Sequence, residues 1–293
     1  MRQLAVEESG SPHGAVVFLL HGTPGGRRGP KPRAIHLHRQ NIRLISYDRP
    51  GYGESDRDHG RRVVDAADDV EAIADALGID RFAVIGRSGG GPHALACAAK
   101  LVPRVTAAAA LVSLAPRDPV SEREGFDWFA GMTADNRRAY RLVETHPERL
   151  DGLREERSGA VGSDTAALLP ILDEGLHASD RRIIGAIRSK FDETYQAALS
   201  RTENWYGWHD DLIALGDLHG WGFDVREIKI PVLLWHGAED HFTPVSHSRW
   251  LAEHIPTAVT SIETGASHFS AVERLPELLP RVLALADSAV LSR

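Results

Sequence analysis

Phe82-Ala83-Val84-Ile85-Gly86-Arg87-Ser88-Gly89-Gly90-Gly91-Pro92-His93-Ala94-Leu95 changes character twice. An apolar run rich in β-branched residues breaks at Gly86-Arg87-Ser88-Gly89-Gly90, then gives way to an alanine-rich segment that continues to Lys100. A buried strand leading straight into a helix has this pattern. So sharp a turn strains the residue at its apex and needs neighbours without side chains, as Gly86 and Gly90 are. Ser88 is that apex. Its hydroxyl would stand clear of the sheet, beside the unpaired N–H groups and positive dipole end of the next helix. The G-x-S-x-G spacing thus reads as one that presents a nucleophilic serine, on the strength of its flanking strand and helix more than of the pentapeptide.

The same alternation extends in both directions. Residues 3–8 can form an edge strand closed by Ser9-Gly10-Ser11-Pro12, and Ala15 to Leu20 is a continuous apolar run, as in a strand buried on both faces. It ends at His21-Gly22-Thr23-Pro24-Gly25, whose small residues let backbone N–H groups approach a ligand. Arg43 to Asp48 is a further strand, followed by the turn-rich Arg49-Pro50-Gly51-Tyr52-Gly53-Glu54-Ser55. Val63, Ala67, Val70, Ile73, Ala74 and Leu77 recur at helical spacing, with Gly78 as the stop. Val105–Leu114, Pro231–Trp235 and Val259–Ile262 supply later strands, with a helix from about Val245 to His254 between the last two. A closing amphipathic helix spans about Glu273 to Ala286, interrupted by Pro276 and Pro280. Alternating strand and helix implies parallel pairing with right-handed crossovers.

Between about Arg117 and Arg226 the strand-like runs vanish and helix-forming, charged residues dominate. Thr133 precedes one helix, Ser163 precedes Ala166-Ala167-Leu168-Leu169, and Ile183–Leu199 and His209–Leu215 read as helical. The expected organisation is a core of residues 1–116 and 226–293 with a helical cap, 117–225, inserted at a sheet end. Trp128, Trp205, Trp208 and Trp221 fall in this insertion, where packing of the cap onto the core is favoured over lining a pocket.

Composition is that of an ordinary soluble globular protein: 293 residues, 42% hydrophobic and 26% charged. A net charge of −7 without a basic block argues against nucleic acid as a partner. The single cysteine, Cys97, excludes an intramolecular disulfide and reads as a buried structural thiol. The first residues lack a hydrophobic region of signal-peptide length, and no apolar run is long enough for a membrane span, so the expected location is cytoplasmic and the expected partner a small-molecule substrate.

A serine hydroxyl needs a base near neutral pH. Of the 15 histidines, His268 follows the last strand in the small-residue loop Gly265-Ala266-Ser267, at the same sheet edge as Ser88. A carboxylate must then orient the imidazole. Asp240 lies after the strand Val232–Trp235, at a carboxyl end where ligands gather in parallel sheets. Glu239 is its rival, and His241 is too close in sequence to the acid to serve as base. His21 is expected to support its loop by hydrogen bonding. His36 with His38, and His209 with Asp210 and His219, lack metal-ligand spacing, so no metal is expected. Arg87 either pairs with a carboxylate or meets an anionic substrate.

These residues resemble, in kind and order, the α/β-hydrolase-fold serine hydrolases with a helical cap, the group that includes esterases and proline iminopeptidase-like enzymes. The likeness covers residues 1–116 and 226–293, and the cap by position only. It implies a mostly parallel eight-stranded sheet flanked by helices. The order Ser88, Asp240, His268 agrees with nucleophile, acid, base. Glu239 remains the lesser candidate. His21–Gly25 is similar to the family's oxyanion loop and Asp48–Ser55 to its second glycine-rich loop. Carried over, the backbone N–H groups of Thr23 and Gly89 form the oxyanion hole, so a side-chain change such as Thr23→Ala is expected to be mild. The resemblance further implies cleavage of a small or medium carboxylic ester through an acyl-enzyme, without a cofactor. Aminopeptidase or lactone hydrolysis is the alternative, supported by a faint likeness of Glu203-Asn204-Trp205-Tyr206 to an amine-binding stretch. A non-catalytic ligand receptor on the same scaffold is the remaining class, and an intact triad argues against it.

Overall fold

The computed structural model describes residues 2–117, 125–163, 172–199 and 206–291, with side chains omitted at 160–163 and 288–291. Each strand-like run forms a strand: β1 (Val6–Gly10), β2 (Ala15–Leu20), β3 (Ile42–Tyr47), β4 (Phe82–Arg87), β5 (Val105–Leu111), β6 (Val232–Gly237) and β7 (Ala258–Glu263). Hydrogen bonding orders them β1-β3-β2-β4-β5-β6-β7, and only β1 runs antiparallel, against β3. The sheet therefore has seven strands among the described residues, not eight. The sequence itself holds seven strand-like runs. After Gly10 the chain turns at once into β2, leaving no room for a second antiparallel strand there.

Because side chains alternate along a strand, each continuous apolar run serves two cores. Phe18, Leu20, Val84, Ala108, Ala110 and Leu234 face one way, onto α2 (Ala66–Ala76) and α3 (Gly90–Lys100). Val17, Leu19, Ile85, Ala109, Leu233 and Trp235 face the other, where they meet Leu37 of α1 (Ala34–Arg39) and the C-terminal helix. Of the four consecutive alanines Ala107–Ala110, Ala108 and Ala110 face α3 and let it approach closely. A Cβ on Gly91 would stand only 2.3 Å from Ser113 Oγ.

Between β5 and β6 the described chain forms α4 (Ala134–Thr145), α5 (Leu150–Ser163), α6 (Ala178–Ala186), α7 (Arg188–Leu199) and α8 (Gly207–Gly216). The Thr133 side chain caps α4 by accepting from Asn136 N. Ile183–Leu199, read as one helix, is two, broken at Ile187. The segments 166–169 and 203–205 lie outside the described residues. Trp128 and Trp221 are buried in the main core, and Trp128 Nε1 donates to Ala115 O at 2.8 Å. Trp208 is buried too, yet also lines the pocket described below.

Two helices complete the core, α9 (Ser246–His254) and α10 (Ser270–Leu291). The proline interruptions expected in the last helix do not occur: α10 runs through Pro276 and Pro280. Pro280 has no N–H to give the carbonyl four residues back. That carbonyl, Pro276 O, instead accepts from Gln40 Nε2 at 2.7 Å, so α1 repairs the gap. Among the described residues no helix is long and apolar enough to cross a membrane.

Candidate active site

Ser88 sits at the carboxyl end of β4 with φ +54°, the left-handed conformation that side chains adopt only under constraint. Its N–H donates to Leu111 O and its carbonyl accepts from Gly91 N, each at 2.8 Å, so sheet and helix hold the turn from both sides. The flanking glycines are sterically required. A Cβ on Gly86 would lie 2.0 Å from Gly90 O, and one on Gly90 would lie 2.3 Å from Leu20 O. This close approach lets α3 start immediately after the serine.

His268 and Asp240 come from the two loops expected of them. His268 Nδ1 donates to Asp240 Oδ2 at 2.8 Å, which leaves Nε2 for the pocket. Asp240 is buried, and its other oxygen, Oδ1, accepts from Phe242 N at 2.8 Å and Thr243 N at 3.0 Å. Burial alone would raise this carboxyl's pKa. The His268 charge and hydrogen bonds from His236 and His268 outweigh it and hold the pKa well below the ordinary range. Glu239 takes no part in this pairing; its backbone carbonyl accepts from Ser267 Oγ.

One pocket is lined by Thr23, Ser88, Gly89 and His268 together. Its walls include Pro24, Leu172, Phe191, Tyr195, Trp208 and Phe269, and two cationic side chains, Arg87 and Arg157. Gly89 packs so tightly on Thr23 that a Cβ there would meet Thr23 Oγ1 at 2.2 Å. The two backbones are thus neighbours beside Ser88, and neither of their N–H groups is used in a hydrogen bond among the described residues. His21 supports the same loop. Arg49 N donates to His21 Nε2 at 3.1 Å, so Nδ1 carries the proton and donates to Gly22 O at 2.8 Å. Burial, then Arg49, keeps this imidazole neutral, with its pKa well below the usual value. His241 is exposed.

Three supporting groups escaped the sequence reading. Asp211 of α8 is fully buried and accepts from Thr23 Oγ1, Arg49, Arg61 Nη2 at 2.6 Å and Tyr52 Oη at 2.8 Å. Burial opposes its ionisation, but Arg49 and Arg61 prevail and depress its pKa strongly. Asp180 of α6, also fully buried, accepts from Ser267 Oγ at 2.6 Å and Phe269 N at 2.8 Å, gripping the chain on both sides of His268. His236 lies behind the acid, with Nε2 3.4 Å from Asp240 Oδ2. The available signal for Asp211 was a carboxylate within the otherwise apolar Leu212-Ile213-Ala214-Leu215 helix, since a charge there demands a partner.

A family model described as the alpha/beta hydrolase fold matches residues 15–275. The chain belongs to the α/β-hydrolase family. Among its relatives, the chain is 27% identical over 281 residues to a 2-hydroxymuconate semialdehyde hydrolase of Pseudomonas putida, spanning 94% of this chain and 89% of that one. It is 28% identical over 305 residues to a proline iminopeptidase of Xylella fastidiosa, spanning 98% and 93%. An enol-lactonase structure from Burkholderia xenovorans superposes with a TM-score of 0.68 at 19% identity, covering 97% of this chain and 96% of that one. A thermophilic esterase from Thermogutta terrifontis gives 0.67 at 21%, covering 97% and 94%. These likenesses establish a hydrolase of this fold.

Proposed function

We propose that this hydrolase cleaves a small or medium carboxylic ester through an acyl-enzyme on Ser88. The observation that carries the reading is the Asp240–His268 hydrogen bond opening onto the pocket that Ser88 lines from its strained turn. His268, tethered through Nδ1, takes the Ser88 proton on Nε2 as Oγ attacks the ester carbonyl. Asp240, kept ionised, orients the ring and stabilises the imidazolium. The developing oxyanion is received by Thr23 and Gly89 N–H, next to the start of α3, whose dipole favours negative charge. His268 then protonates the departing alcohol. Water, deprotonated by the same nitrogen, attacks the acyl carbonyl and releases the acid and free Ser88. Residues 117–225 act in this reading as a cap over the pocket, with helices supplying Tyr140, Phe191 and Trp208 to its wall.

The proline iminopeptidase relatives support aminoacyl amides as a second substrate class. The two arginines of the described lining, Arg87 and Arg157, disfavour a free ammonium group and so support the ester reading.

The test is intact mass after treatment with a fluorophosphonate. A single adduct on the wild type, absent from Ser88→Ala and at least ~100-fold slower to form in His268→Ala, is the expected result, by the usual size of a general-base contribution. No adduct on the folded wild type overturns the mechanism. Comparison of neutral esters with aminoacyl amides then separates the two substrate classes.

A further inference from the structure

Arg87 occupies the position between Gly86 and the nucleophile, and it is the cation in this region whose guanidinium has no hydrogen bond or ion pair with any described residue. Four neighbouring cations are engaged: Arg27 with Asp48 and Glu54, Lys31 with Glu7, Arg49 with Asp211, Arg157 with Asp135. Burial lowers the Arg87 pKa, and Tyr195 is the one group that acts in the opposite direction. A guanidinium nevertheless stays charged at any physiological pH. Arg87 is half-buried, and a charge without a partner there loses part of its solvation with nothing in the described chain to replace it. An anion that enters with the ligand would replace it.

The position makes that anion part of the substrate. A Cβ built on Gly22 would stand 3.5 Å from Arg87 Nη2 and 3.4 Å from Ser88 Cβ, so guanidinium and nucleophile flank the same few ångströms of pocket. The remaining wall around them is largely apolar: Pro24, Pro30, Phe191 and Tyr195. A planar fork of donors in such a setting fits a carboxylate.

We propose that Arg87 is an anion subsite beside the nucleophile, and that the substrate carries a carboxylate a short spacer away from the carbonyl that Ser88 attacks. This inference rests on the ester-hydrolase reading for its chemistry, but its binding claim can be tested separately. Two p-nitrophenyl esters serve as probes: the hemi-ester of glutaric acid, and its counterpart in which the free carboxylate is blocked as a methyl ester. The wild type should prefer the charged ester by about 10- to 100-fold in kcat/KM, the range for a hydrogen bond to a charged group. Arg87→Gln should bring the ratio near unity, and Arg87→Lys, which keeps the charge without the fork, should retain part of it. In parallel, calorimetry with Ser88→Ala protein should show glutarate binding that disappears on adding Arg87→Gln. A ratio near unity in the wild type, or one that survives Arg87→Gln, overturns the subsite. If no ester is cleaved but glutarate binding requires Arg87, the subsite stands and the ester reading is the part that fails. Absence of both cleavage and glutarate binding removes the two together.

Discussion

Thr23 shows how a residue assigned a backbone role can also depend on its side chain. The sequence alone suggested that Thr23→Ala would be mild, since a backbone N–H survives the change. In the folded chain Thr23 Oγ1 donates to the buried Asp211 carboxylate and accepts from Arg49 Nη2 at 3.1 Å. Removing the hydroxyl strips one donor from a buried charge, a loss of about 1.5–3 kcal/mol. Thr23→Val, which keeps shape without the hydroxyl, should therefore lower the urea unfolding midpoint by that equivalent, while Thr23→Ser should stay near wild type. Equal midpoints for Thr23→Val and wild type would show that Arg49, Arg61 and Tyr52 satisfy Asp211 by themselves. The sequence offered no access to this contact. Thr23 and Asp211 are 188 residues apart, and only the packing of α8 against the first loop joins them.

At the scale of elements, the helices between β5 and β6 are tied into the site by two buried carboxylates that were not legible as site residues. Asp180 belongs to α6 and also receives His177 N at 3.1 Å, so one side chain both caps its own helix and fixes the His268 loop. Asp180→Ala would orphan Phe269 N, at about 1–3 kcal/mol for a buried donor, and leave Ser267 Oγ only the Glu239 carbonyl at 3.0 Å. The loop should then hold His268 less firmly. Fluorophosphonate acylation of Ser88 should slow at least ~10-fold at a temperature where circular dichroism reports a folded protein, because misplacement of a catalytic group costs rate. Asp180→Asn, which keeps an acceptor oxygen for one of the two donors, should lie between. If acylation of Asp180→Ala matches wild type, the grip is structural only. The strands and the sharp turn at Ser88 were readable because periodicity and glycine placement are local properties. The clamps were not, because a lone aspartate on a helix is usually solvated, and only tertiary packing distinguishes the exception.

The whole molecule carries more buried histidine than its surface chemistry requires, and this governs its response to acid. Seven strand-like runs, mostly parallel, were legible in the sequence although the resemblance implied an eighth, and loop composition singled out Asp240 and His268, which pair, and Ser88, which lines the same pocket as His268. The burial states of the other imidazoles were not, since fifteen histidines look alike in sequence. His93 has its pKa pushed down to about 3 by burial and then by Arg49, and His247 to about 3 by burial and then by His236. His21 is depressed as well. In the unfolded chain each takes up a proton near pH 6.5, by the ordinary value for histidine. Unfolding therefore binds protons as pH falls below that value, and stability drops with it until the folded pKa is reached. Asp69 acts in the opposite sense, because burial raises its folded pKa to about 6 and it takes up a proton on the folded side first. Three histidines against one aspartate leave a net uptake of about two protons on unfolding between roughly pH 5 and 6, or ~2–3 kcal/mol per pH unit. His247→Asn retains an acceptor for Ala115 N, which donates to Nδ1 at 3.1 Å, while removing one titrating ring. Urea unfolding at several values from about pH 5 to 6 should then give a stability slope smaller by ~1.4 kcal/mol per pH unit than in the wild type. An unchanged slope would mean that His247 is already protonated in the folded chain, in contradiction to its burial beside Trp128 and Phe126.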